Sequence, residues 1–290
     1  MSALPIPTAA PAVRGVLRPH RAALVLWITA LAAAAVYLGW LHSLADEARA
    51  GVGACAVPQQ SGLPLCSAVE AITADATYRD GIALVTGALA LVMFPAAGWA
   101  GAVIGRELEN RTALLAWTQG VSPARWLAAK LTVPAVLLAA GTGAIAVLNR
   151  WARGDGDPNL VGDWYYPDVF IATGPAAVAY ALAGLALGAL AGLLTGRALA
   201  GAGVAFAACL VLYNLVDLFR EDLWPTLTRR GAFEPPRSYY QVDWSANETV
   251  LRYHPRSHFW PLQYVETGIL LAIAAAATTA AFVLLRRRTA

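Results

Sequence analysis

The chain has 290 residues, of which 58% are hydrophobic and only 13% charged, with a formal net charge of +3. So few charged groups cannot cover the surface of a water-soluble domain of this size, which excludes a soluble globular protein and indicates a membrane protein. A bilayer core takes about 20 apolar residues per helix, whereas a membrane β-barrel shows alternating segments of about ten. Six continuous stretches reach the helical length, at about 22–44, 81–104, 127–148, 169–194, 199–219 and 264–285. The predicted fold class is all-α, a single polytopic transmembrane domain over 1–290 with six helices.

Ahead of the first helix, Val13 to Arg21 places three arginines among apolar residues. The pattern suits a short interfacial helix on an anionic surface or a plain positive anchor. The first apolar run is too long for a signal-peptide core and ends in Ala45-Asp46-Glu47 rather than in small residues, so it is read as a retained helix. Loop 46–80 carries Cys55 and Cys66. On the outer side of a membrane these two are candidates for a disulfide, and closing so short a loop contributes roughly 2 to 3 kcal/mol.

The second helix runs into GRELENRTALLAWTQGVSPARWLAAKL, residues 105–131. Glu107 and Arg111 are spaced as an i,i+4 ion pair with the acid first, so the helix is expected to continue beyond the headgroups. Thr118-Gln119-Gly120 breaks it, and Ser122-Pro123 has the form of an N-cap followed by proline at the first helical position. Trp117 and Trp126 suit a membrane interface. The segment 105–126 is therefore a helical elbow, either an anchored loop or a docking surface for a soluble partner.

After the third helix and loop 149–168, the fourth carries Gly184, Gly188, Gly192 and Gly196 at four-residue spacing. That stripe admits close helix packing, within one subunit or across a dimer seam. Thr195 to Ala198 leave room only for a tight hairpin into the fifth helix, where Cys209 reads as a small buried apolar residue. The long loop 220–263 holds an Asn247-Glu248-Thr249 sequon, read as chance in an Ala- and Arg-rich chain of bacterial type. The sixth helix ends in Arg286-Arg287-Arg288.

With both termini cytoplasmic, the inside segments carry 11 of the 21 Lys and Arg residues on about half the length of the outside segments. All acidic residues except Glu107 and Glu109 then lie outside or at outer helix ends. No Asp, Glu, Lys or Arg falls near the middle of a predicted span, where ion-driven carriers bind their coupling ion. There is no phosphate-binding G-x-x-x-x-G-K-[ST] motif, no H-E-x-x-H, and no Cys and His spacing of a metal site. Ser257 and His258 are mere neighbours in sequence, so an enzyme is disfavoured. Any driven transport must draw its energy from another polypeptide.

At these residues a resemblance enters. Arg106-Glu107-Leu108-Glu109, Thr112, Leu115-Ala116-Trp117-Thr118-Gln119, Arg125-Trp126-Leu127 and Lys130-Leu131 resemble the first intracellular loop of actinobacterial ABC transporter permeases of the ABC-2 type. A second block, His254-Pro255, Ser257-His258-Phe259-Trp260-Pro261-Leu262-Gln263 and Glu266, is similar to that family's R-F-W-P-x-Q pattern and following glutamate. Arg111 replaces a usual glycine, which suggests a helix that continues rather than bends, and His258 replaces a frequent arginine.

The resemblance implies the permease subunit of an exporter in a bacterial plasma membrane, working as a homo- or heterodimer. It binds no cofactor itself, ATP and Mg being held by a separate ATPase subunit. It implies that Arg106, Glu107, Glu109, Thr112, Trp117, Gln119 and Arg125 couple the elbow to that ATPase. It also implies that His254, Pro255, Phe259, Trp260, Gln263 and Glu266 form an external gate, as a re-entrant or interfacial structure. Lipid and these subunits are the expected partners, and nucleic acid is not. Trp27, Trp40, Phe94, Trp99, Phe206 and Tyr213 suit a hydrophobic or amphipathic cargo. The alternatives are a non-transport anchor or assembly protein that binds a partner through its external loops, and a membrane enzyme.

Overall fold

The computed structural model describes residues 21–56, 69–154, 156–231, 235–244 and 250–289. The predicted interfacial stretch before Arg21, the Cys55 to Cys66 pairing and the sequon at Asn247 lie outside what it describes. In chain order the helices are α1 (Arg21–Ala56), α2 (Val69–Ala90), α3 (Met93–Glu109), α4 (Thr112–Thr118) and α5 (Pro123–Ala152), followed by α6 (Pro158–Val161), α7 (Pro167–Ala172), α8 (Ala176–Thr195), α9 (Ala198–Phe219) and α10 (Phe259–Thr289). Strands β1 (Leu227–Arg230), β2 (Tyr240–Trp244) and β3 (Val250–His254) lie between α9 and α10.

Five helices, α1, α5, α8, α9 and α10, are long and apolar enough to cross a membrane. Helices α2 and α3, bent by 41° at their junction, make a sixth if counted as one span. The expected continuous helix over 81–104 is thus broken. Pro95 explains the position: its ring clashes with the carbonyl four residues back, that of Leu91, and the helix is interrupted at Leu91-Val92. Proline does the same on the far side of loop 149–168. Pro167 opens α7, and Pro175 ends it and caps α8, so the span expected from 169 begins at Ala176.

The helical polytopic class expected from the sequence holds, with one addition. Loop 220–263 contains a three-stranded antiparallel sheet in the order β1-β3-β2, with a bulge between Gln241 and Asp243. The strands are too short and too polar to register against the apolar runs; Leu227–Arg230 is exposed along its whole length.

Helix α8 is the axis of the bundle. Of its most apolar window 72% is buried, against 6% for α1 and 17% for α9. Its glycine stripe meets α3 of the same subunit: a Cβ on Gly184, Gly188 or Gly192 would fall less than 3.0 Å from the backbone carbonyls of Met93, Ala97 and Gly101. On α3, Gly101 and Gly105 make the same approach to Gly201 and Arg197 at the start of α9. Three backbones are in contact here, which side chains larger than hydrogen would forbid. Gly196 departs from the predicted stripe. It is the C-cap of α8 with φ 62°, has open space around it, and serves the turn into α9.

The two roles separate experimentally. Gly188→Ala places a methyl against a backbone oxygen that no rotamer change can clear, and is expected to cost about 3 kcal/mol or more. Gly196→Ala pays only the left-handed backbone penalty of roughly 1 to 2 kcal/mol. Thermal unfolding of the purified variants should therefore rank Gly188→Ala well below Gly196→Ala.

Candidate functional site

The elbow is formed where α3 ends, α4 crosses and α5 begins. Asn110 caps α3, and Arg111 turns the chain with φ 57°, the single non-glycine residue with positive φ among those described. The expected continuation of the helix through Arg111 is corrected: the chain bends at the position where the resembling family has glycine, and arginine bears the left-handed conformation at some strain. The expected Glu107 to Arg111 pair is also absent. Glu107 instead accepts from Trp126 Nε1 at 2.9 Å and pairs with Lys130, the chain's one lysine, which is 9% exposed. Thr112 Oγ1 donates to the Glu107 carbonyl at 3.2 Å, locking α4 to the end of α3.

Glu109 is tied elsewhere. Its Oε2 accepts from the Ala198 backbone N–H at 3.0 Å, at the N-terminus of α9, where a carboxylate meets the positive end of the helix dipole. The elbow's two acids thus bind it to α5 on one side and to the α8–α9 hairpin on the other. Trp117 packs edge-on against Trp126 with centroids 5.8 Å apart. Ser122 caps α5 by accepting from the Arg125 backbone N–H at 3.4 Å. Facing outward are Arg106, Arg111, Gln119 and Arg125, with Leu114 at 50% and Leu115 at 58% exposed between them. Nearby, Arg288 of α10 donates to the carbonyls of Leu193 and Leu194, closing the C-terminal end of α8.

At the opposite end of the bundle, the second group of candidate residues straddles β3, the 3₁₀ turn Arg256–His258 and the first two turns of α10. They form no re-entrant loop, because Phe259 to Glu266 are continuous helix. Gln263 and Glu266 lie one turn apart on the buried face of α10, both 0% exposed. Gln263 bridges the α7–α8 break: its Oε1 accepts from the Ala176 N–H at 3.2 Å and its Nε2 donates to the Phe170 carbonyl. Gly174 admits this amide, since any Cβ there would overlap it. The buried backbone ends that the break leaves open are thereby satisfied.

Glu266 accepts from Arg220 Nε at 2.8 Å and Nη2 at 3.3 Å, and from the Tyr180 hydroxyl at 2.9 Å. Arg220, 3% exposed, also reaches Asp217 at 2.6 Å. His254 is fully buried; its Nε2 lies 2.9 Å from the Glu221 carbonyl and its Nδ1 lies 3.0 Å from His258 Nδ1. A carbonyl only accepts, so His254 Nε2 carries a proton, and in the neutral ring its Nδ1 accepts from His258. Phe259 packs on Trp164 and Phe170, while Trp260 faces outward under Arg150. Pro255 begins the turn.

Sequence reasoning brought the candidate residues of each end together but missed their counterparts. The sequence places Lys130 in the motif near an inner helix end but does not name Glu107 as its partner, and it does not single out Arg220 or Tyr180. An arginine at the edge of an apolar span opposite a lone glutamate is a usable signal for the latter pair. A further latch, Arg237 with Asp163, was also unforeseen; the bidentate contact, about 3.1 Å throughout, raises the Arg237 pKa above its usual value.

With this geometry described, the comparison with family models decides the class. The model for ABC-2 membrane transporter related proteins matches residues 25–220. The chain belongs to that family. It is a multi-pass membrane protein of the ABC-2 permease type, a class of membrane subunits rather than enzymes, which generally work with an ATPase subunit. A search of curated proteins and a search of solved structures returned no match.

Two outcomes follow for this permease. Glu266→Leu leaves the buried Arg220 only the half-exposed Asp217 as a counter-charge and is expected to cost about 3 kcal/mol, whereas Glu266→Leu with Arg220→Leu removes both buried charges and recovers most of that loss. Unfolding midpoints of the two variants check this. Lys130 should resist amine-reactive labelling in folded protein, and Glu107→Ala should destabilise by roughly 2 to 3 kcal/mol, less than a fully buried pair because Glu107 retains some water. Mass spectrometry of labelled protein reads the Lys130 adduct directly.

Proposed function

We propose that this chain is the permease subunit of an ATP-binding-cassette exporter in a bacterial plasma membrane, most in keeping with an actinobacterial source, and that its elbow receives mechanical work from a separate ATPase. The observation that carries the reading is the division of labour within 105–126. Glu107 and Glu109 are spent on contacts to α5 and α9, while Leu114, Leu115, Arg106, Arg111, Gln119 and Arg125 are turned outward. An apolar ridge ringed by guanidinium groups fits a groove with an acidic rim on a soluble partner. Trp117, whose buried Nε1 has no acceptor among the described residues, sits behind the ridge.

ATP and Mg bind the partner subunit in this scheme. Closure of the paired ATPases draws the elbows together, and α3 carries the displacement into the bundle. Helices α1 and α9 bury the least of the five single-helix spans, and so offer the faces for lipid and for a second permease subunit. With both ends of the chain on the cytoplasmic side, the Gln263 and Glu266 assembly closes the outer end. The cargo is hydrophobic or amphipathic. A cavity of about 240 Å³ beside the α2–α3 break supports this: its walls are almost wholly apolar and include Trp27, Trp99, Pro95 and Pro134.

The alternative of an anchor or assembly protein draws on the exposed strand β1, which among the described residues lies at an edge of the sheet that another chain can extend. Co-expression separates the two. The permease reading expects the chain to co-purify with an ATPase subunit encoded beside it and to show no ATPase activity alone. Leu114→Asp with Leu115→Asp should weaken that capture at least tenfold, and Glu107→Ala with Arg125→Ala should impair ATP-driven transport. If both double variants assemble and transport as the native chain does, the elbow is not the docking site.

A further inference from the structure

One cavity adjoins the second site, sharing Phe259 and Trp260 with it, but uses residues that neither site employs. It lies at the end of the bundle away from the elbow, has a volume of about 250 Å³, is partly open to its surroundings, and is lined by residues that include Arg150, Arg153 and Arg256 together with Trp164, Phe259 and Trp260. The carboxylate on its wall, Asp163, is already matched by Arg237. Among the described residues no carboxylate stands within ion-pair distance of the three lining arginines.

Arg153 is the telling member. It is 7% exposed, yet its partners are neutral: Nη1 donates to Thr86 Oγ1 at 3.2 Å and Nη2 to the Val161 carbonyl. Thr86 is held in turn by Asn149. Among the described residues Asp168 acts on Arg153 only through space, with no carboxylate in direct contact, and a buried cation is costly unless it is paired or fully hydrogen-bonded. Burial pulls its pKa down to about 10, still well above neutral, so the charge persists. Arg150 and Arg256 are exposed above it, and the Arg150 guanidinium lies over the Trp260 ring, 5.1 Å from its centroid.

We propose that this cavity binds an oxyanion, a phosphate or carboxylate group, with Arg153 at its base and Arg150 and Arg256 at its mouth. Guanidinium donors match the spacing of such oxygens, and the anion gives Arg153 a directly bonded counter-charge that no described residue provides. Trp164, Phe259 and Trp260 give the same cavity an apolar wall, which suits an alkyl or aromatic portion attached to the anion, as in an amphiphile or a lipid headgroup with its adjoining chain. The site is a property of this chain alone and stands whether or not the elbow docks an ATPase.

The test titrates the purified full chain, in a neutral maltoside detergent, with inorganic phosphate and separately with dodecyl phosphate. Tryptophan fluorescence, to which Trp164 and Trp260 contribute, is the readout. A saturable change is expected, shifted at least tenfold to higher concentration in Arg150→Gln with Arg256→Gln, a pair of exposed substitutions chosen to leave the fold intact. Saturation by phosphate as readily as by dodecyl phosphate assigns the site to a free anion; saturation only by dodecyl phosphate assigns it to an amphiphile's headgroup. No saturable response from either, or equal titration of the double variant and the native chain, overturns the proposal.

Discussion

Backbone contact between α3, α8 and α9 is the constraint on which the rest of this permease depends. Inside a membrane there is no hydrophobic gain in bringing helices together, so association relies on close packing and on polar groups that find partners. Gly184, Gly188 and Gly192 bring α8 onto α3, and Gly101 and Gly105 bring α3 onto the start of α9. A side chain at any of these positions would separate the backbones and leave a gap that lipid or water would have to fill. Because α3 ends in the elbow, the glycine contact also fixes where the elbow stands.

The two ends of the bundle build on that contact in different ways. At the elbow, charge does the joining: Glu107 with Lys130 and Trp126, Glu109 with the N-terminus of α9, and Arg288 with the last carbonyls of α8. At the opposite end a break in the backbone comes first. Pro175 separates α7 from α8, and the Gln263 amide fills the gap while Glu266 neutralises Arg220 one turn further along. Each end is rigid because its polar groups have few alternatives in a poorly hydrated setting. In the proposed cycle, a displacement at the elbow therefore has a stiff route through α3 and α8 to the far end.

The membrane class, the approximate spans and the elbow were legible in composition and apolar run length, because those properties follow from the thickness of the bilayer. The glycine stripe of α8 was legible as a packing face, but its partner was not, since spacing says nothing about which helix lies opposite. A second pair, Gly101 and Gly105, stood four apart in the sequence and serves the contact of α3 with the start of α9. The α2–α3 break hid within a long apolar run, and only Pro95 marked it. Arg111 misled: a charged residue with good i,i+4 spacing read as helix, whereas the turn forces it left-handed. The sheet in 220–263 was invisible because its short, exposed strands carry no alternating apolar pattern. Glu266 and Gln263 were recognisable by motif, but their partners depend on contacts across some 90 positions of chain.

The account therefore rests on α3, α8 and α9 moving as one body when the elbow is driven. The most direct measurement bridges α3 to α9 with a short bis-methanethiosulfonate, whose disulfide links are reducible, at Glu109→Cys and Ala198→Cys in a background lacking Cys55, Cys66 and Cys209. ATP hydrolysis is then compared in the assembled complex before bridging, after bridging and after reduction. If the unit is rigid, bridged and unbridged complexes hydrolyse ATP at the same rate. Loss of turnover on bridging, restored by reduction, would show that the α3–α9 contact opens during the cycle and would contradict the account.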